Sequence, residues 1–97
     1  MPGRLELSPQ AQQEVAAATA WYEEQSPGLG LEFVSELDRA LSTVATTPSR
    51  WRQYPHLPEL QQYSLKRFPY AVIYCQQRDL IMVIAVAHLR RKPGYWR

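Results

Sequence analysis

Two apolar, β-rich runs stand almost end to end late in the chain, Tyr70 to Gln76 and Leu80 to Ala87, with only Gln77-Arg78-Asp79 between them. A crossover to a parallel neighbour takes about a dozen residues or more, so a break this short returns the chain on itself as an antiparallel hairpin. The break lacks the glycine usual in tight hairpins. A third candidate strand, Gln61 to Lys66, precedes the pair, and the three read as one antiparallel meander.

Before the meander the period changes from two to three and a half. Leu5 and Leu7, separated by Glu6, form a short alternating strand that ends at Ser8-Pro9, a good N-cap and first-position pair for a helix starting at Pro9. In that helix Ala11, Val15, Ala18 and Tyr22 recur at helical spacing, with Glu14, Glu23 and Glu24 mostly outside the stripe. Trp21 is expected to widen the stripe or touch the sheet. Ser26-Pro27-Gly28 breaks the helix, and Gly28-Leu29-Gly30 reads as the joining turn. A second helix carries Phe33, Leu37, Leu41 and Val44 inward and Glu32, Glu36, Asp38 and Arg39 on other faces, and Thr47-Pro48 stops it. Pro48 to Pro58, with three prolines, Trp51 and Tyr54, has no period and reads as a loop crossing the domain. The order is β-α-α-β-β-β, an α+β fold in which an antiparallel helical pair covers one face of the sheet. Residues 1–97 are one domain, long enough for a single core without staples.

Charge divides the chain. Residues 1–48 hold two cations against seven anions, a net of −5, and residues 49–97 hold nine against two, a net of +7. Such asymmetry suits an anionic partner on the basic half, either nucleic acid or an acidic protein segment, and equally suits acidic helices solvated beside a basic sheet. The one cysteine, Cys75, cannot form a bridge within the chain; it reads as a small core residue and favours a cytoplasmic setting. No apolar h-region follows Met1-Pro2-Gly3-Arg4, and no segment is long and apolar enough for a membrane span.

Counting removes several chemistries. The four glycines are scattered and build no phosphate loop. His56, His88 and Cys75 have no metal-ligand spacing, so neither metal nor cofactor is expected. Glu23 and Glu24 diverge as helix neighbours, which leaves glycosidase-type chemistry without its facing carboxylates.

The C-terminal stretch remains. His88 ends the last strand and is the group there whose ordinary pKa allows proton transfer near neutrality. Arg67, Arg90 and Arg91 can clamp phosphate oxygens, Lys66 and Lys92 add charge, and Tyr95 and Trp96 offer planes for stacking. Together they form an inventory for metal-independent RNA cleavage, with a base, a charge-stabilising arginine and an acid. The same residues also read as a hydrogen-bonded structural histidine, a solvated basic tail and an aromatic, Trp96, folding back to cap the core.

At this point the chain resembles the RelE/ParE superfamily of toxins from bacterial type II toxin-antitoxin systems. The resemblance rests on Trp21-Tyr22 in the first helix, Gly30-x-x-Phe33 in the second and Pro48 closing it. It continues with Arg67-Phe68-Pro69-Tyr70-x-Val72-x-Tyr74 in the sheet and Ala85-Val86-Ala87-His88-x-Arg90-Arg91-x-Pro93-x-x-Trp96 at the end. The resemblance implies a helical hairpin on a twisted antiparallel sheet and a cognate antitoxin that wraps and neutralises the toxin. RelE-like members cut mRNA on the ribosome, and there Arg67 would hold phosphate while His88 or Tyr95 moves protons. ParE-like members act on DNA gyrase by binding. Few cations in the sheet, long paired helices and the Arg-Phe-Pro-Tyr element place this chain nearer the ParE-like branch. An inert or scaffolding relative is the third reading. In any of them a basic sheet edge with exposed aromatics suits an acidic antitoxin, expected to cover part of the sheet and the surface around Arg67, His88 and Arg90.

Overall fold

A computed structural model describes residues 4–96; Met1 to Gly3 and Arg97 lie outside the described residues. The elements are β1 (Arg4–Leu7), α1 (Pro9–Gln25), α2 (Leu29–Thr46), a 3-10 turn (Pro48–Arg50), β2 (Gln53–Tyr54), β3 (Leu57–Ser64), β4 (Tyr70–Gln77) and β5 (Leu80–His88). One five-stranded sheet runs β1-β5-β4-β3-β2. The meander β3-β4-β5 is antiparallel as expected, and β1 joins the outer side of β5 in parallel.

Ser8 converts strand into helix. Its N–H donates to the Val83 carbonyl at 2.9 Å, and its hydroxyl donates to the Ile84 carbonyl at 2.8 Å while accepting from the Ala11 N–H at 3.0 Å. One side chain thus ends the pairing with β5 and caps α1, and Pro9 occupies the first turn, where no N–H is needed.

Gly28, at φ 89°, makes the turn between the helices. Gly30 is not part of that turn. It lies inside α2, where a Cβ would stand 2.8 Å from the Thr19 carbonyl, so a bare backbone lets the two helices approach. Glu23 braces the junction by accepting from the N–H groups of Gly28 and Gly30, at the positive end of α2. Phe33, Leu37, Ala40 and Val44 form the buried stripe of α2. Glu36 belongs to the same stripe and is only 7% exposed, whereas the sequence reading expects it on another face with Glu32, Asp38 and Arg39. Trp21 neither widens its stripe nor reaches the sheet. It is 55% exposed and lies edge-on to Tyr22.

The helices cover one face of the sheet, burying Val72, Tyr74, Ile81, Val83 and Val86 with Leu65 and Phe68. The other face carries a smaller cluster of Tyr54, Leu60, Ile73, Ala85 and Ala87, with Cys75 half-buried beside it and its thiol pushed up by burial. In β5 the alternation slips once: Ala85 pairs with Ile73 but Val83 pairs with Tyr74, leaving Ile84 as a bulge. The extra residue lets Val83 and Val86, three apart, face the same helices. The β4–β5 turn is made by Arg78 at φ 56° in place of glycine.

The stretch from Pro48 is more ordered than its prolines suggest. His56, at φ 64°, closes a hairpin in which Tyr54 pairs with Leu57, so β3 begins at Leu57 and ends at Ser64 instead of spanning Gln61 to Lys66. The Tyr74 hydroxyl donates to the Pro48 carbonyl at 2.6 Å, and burial pushes that phenol up to about 12. No described helix is long and apolar enough to cross a membrane.

Candidate functional site

The last strand delivers the C-terminal residues onto the sheet face that the helices leave open. His88 ends β5 half-buried, with its ring against Tyr70 at 5.2 Å between centroids. Its Nδ1 accepts the Arg90 N–H at 3.1 Å, and its carbonyl accepts from Arg91. A tight turn follows, in which Tyr95 N–H donates to the Lys92 carbonyl. The tail then lies on the smaller cluster: Gly94 N–H donates to the Tyr54 hydroxyl at 3.1 Å, and the Trp96 ring packs on Tyr54 at 5.4 Å. Trp96 therefore caps the core, the second of its two readings.

Tyr95 reaches around the end of the sheet to α1, where its hydroxyl donates to Glu14 Oε2. Burial, and then this hydrogen bond, push its phenol well above the ordinary range. Glu14 Oε1 meanwhile accepts the Val86 N–H at 2.9 Å, on the edge of β5 that β1 no longer covers. One carboxylate thus closes a sheet edge and pins the tail. Arg91 lies over the Tyr95 ring, 4.7 Å from its centroid, while Arg90 and Lys92 project from the pinned tail into solvent.

Arg67 stands elsewhere, in the β3–β4 loop. Its guanidinium bridges Glu32 of α2 at 2.7 Å, which holds it charged, and it lies over the Phe68 ring. Both partners are more than half exposed, so the pair adds little stability. The loop is held from below by Glu36, whose Oε2 accepts the N–H groups of Lys66 at 2.6 Å and Arg67 at 2.9 Å. The structure thus groups His88, Arg90, Arg91, Lys92, Tyr95 and Trp96 on the tail, with Lys66 and Arg67 on a separate loop beside α2. A recess of about 200 Å³ opens next to the tail, floored by Ala71, Ile73 and Ala87 and rimmed by His88 and Arg91.

Sequence reasoning missed the two carboxylates that organise these segments. A signal existed for both: Glu14 is three residues from Ala11 and four from Ala18, and Glu36 is three from Phe33 and four from Ala40. Each therefore falls on the inward stripe of its helix.

No curated protein matches the chain in sequence. A solved structure described as the chromosomal ParDE TA system from P. aeruginosa superposes with a TM-score of 0.78 at 15% sequence identity, over 89% of this chain and 95% of that one. At that identity the likeness establishes the fold. A family model described as the ParE toxin of type II toxin-antitoxin system, parDE, matches residues 5–93, nearly the whole length, and the chain belongs to this family.

Proposed function

We propose that this protein is a cytoplasmic growth-inhibiting toxin that acts by binding DNA gyrase and is held silent by a cognate antitoxin. The observation that carries the reading is the separate engagement of the three groups a ribonuclease would need. Arg67 bridges Glu32, His88 Nδ1 is occupied by the Arg90 N–H, and the Tyr95 hydroxyl is committed to Glu14. Arg90 and Lys92, by contrast, are exposed on a tail anchored at Tyr54 and Glu14. That arrangement presents cations on an anchored tail while Arg67 is held on a separate loop and the Tyr95 hydroxyl on Glu14, which suits recognition more than a joint arginine, base and acid. The antitoxin covers part of the open sheet face and the surface around Arg67, His88 and Arg90, where basic groups and apolar recesses adjoin.

Induced expression of the chain without its antitoxin tests this. Growth arrest with DNA breaks and an SOS response, while protein synthesis continues, is the expected result, with growth restored by the antitoxin. Cleavage of ribosome-bound mRNA with DNA intact would transfer the assignment to a ribonuclease. The absence of arrest would point to an inert relative, and a toxin-antitoxin complex that left the Arg67, His88 and Arg90 surface open would refute the docking.

A further inference from the structure

A second surface lies away from the tail, along the outer flank of α2. Between α2 and the end of β3 runs a groove of about 320 Å³ lined by Ala40, Tyr63 and Leu65, by Arg39, Thr43, Lys66 and Arg67, and by Glu36, whose carboxylate is taken up by the Lys66 and Arg67 N–H groups. Thr43 also lines a neighbouring hollow of about 360 Å³ that continues past Thr46 and Thr47 to Arg50 and Trp51. The two hollows meet at Thr43 along the C-terminal half of α2.

Three observations describe what fits it. Arg39, Arg50 and Lys66 are exposed and, among the described residues, their side-chain cations form no ion pair within 4.0 Å, whereas the Arg67 guanidinium beside them already holds Glu32. The backbone edge of β3 is open next to the groove. β2 is two residues long, and the outward Gln62 N–H donates to the Arg52 carbonyl while the Leu65 N–H turns inward to Tyr70, so alternation points the N–H and C=O of Ser64 outward beyond the end of β2. Finally, the Trp51 indole N–H is buried without a hydrogen-bond partner.

From these we infer that the α2–β3 groove is a docking channel for an extended acidic polypeptide, which adds backbone hydrogen bonds at Ser64, sets apolar side chains over Leu65 and Tyr63 and pairs its carboxylates with Arg39, Arg50 and Lys66. A nucleic acid fits less well. A sugar-phosphate backbone cannot extend a strand edge, whereas a peptide can. Naming the occupant as the antitoxin's acidic segment rests on the toxin reading above; the channel and its chemistry do not.

The test titrates the isotope-labelled full chain with three probes of about twelve units each: a peptide alternating glutamate with leucine or phenylalanine, its lysine counterpart, and a single DNA strand. The acidic peptide alone should move the amide signals of Arg39, Thr43, Ser64 and Lys66. Its affinity should fall about tenfold or more in Arg39→Glu, where an exposed side chain without a partner is changed, and again in Arg50→Glu as an independent variant. Shifts confined to another surface, unchanged affinity in both variants, or the same amides moved by DNA would overturn the inference. Toxicity is not read by this titration, so failure of growth arrest would withdraw only the occupant's name, and a failed titration would leave the toxin reading standing.

Discussion

Replacing Glu14 by alanine removes the acceptor of both the Val86 N–H and the Tyr95 hydroxyl. Two partly buried donors are then unpaired, and urea unfolding should show a loss of about 1–3 kcal/mol. Tyr95→Phe removes only one of those bonds and should cost about 1 kcal/mol, with faster hydrogen exchange confined to the tail. Glu36→Ala should act at a distance from its own helix, exposing the β3–β4 loop at Lys66 and Arg67 to proteolysis, because its carboxylate holds both N–H groups. These roles were legible only in part. Helical spacing places both carboxylates on inward stripes, yet a buried glutamate is uncommon, and its backbone partners, 31 and 72 residues away, leave no mark in the local sequence. The tyrosines carry a pH prediction. Burial pushes Tyr74 up to about 12, against an ordinary value of about 10 in the unfolded chain. Below about pH 10 both states keep the proton and the contribution is whole; above it the unfolded chain ionises first, so stability falls with pH until the folded phenol ionises too, by about 3 kcal/mol at most. Thermal melting across that window should fall less steeply in Tyr74→Phe.

The helical hairpin depends on Gly30 more than on the turn that precedes it. A Cβ at Gly30 would meet the Thr19 backbone carbonyl at 2.8 Å, and backbone cannot swing aside, so Gly30→Ala should lower stability by about 1–3 kcal/mol in chemical denaturation. At Gly28 nothing crowds a Cβ, and only the positive φ is penalised, so Gly28→Ala should cost about 1 kcal/mol. Among the elements, the two helices and the β4–β5 hairpin were legible because each has a clear period and a marked end, Ser8-Pro9 and Thr47-Pro48 above all. The β2–β3 hairpin was hidden behind Pro55 and Pro58. It exists because proline suits a turn and an edge strand, and because His56 accepts a left-handed conformation that no rule assigns to histidine by default. The bulge at Ile84 was equally silent, since a run apolar on both faces gives no sign of where the alternation slips.

Across the whole molecule, two groups of exposed cations without ion pairs stand out among the described residues, Arg90, Arg91 and Lys92 on the tail after β5 and Arg39, Arg50 and Lys66 along the flank of α2. The tail is fastened by Tyr54 and Glu14, so its exposed Arg90 and Lys92 can be changed without disturbing the core. Arg90→Ala with Lys92→Ala should leave the melting temperature unchanged and reduce target inhibition at least severalfold at low salt, with the difference from the unaltered chain shrinking as salt rises, as expected for exposed charges that recognise an anionic surface. The family was legible from motifs scattered along the chain, whereas the target was not, because superfamily members that cut RNA and those that bind an enzyme share the same scaffold. A supercoiling assay of purified DNA gyrase with increasing amounts of the protein decides between them. Inhibition that saturates near equimolar toxin and is reversed by the antitoxin is the predicted result; full supercoiling activity in the presence of excess folded protein would contradict it.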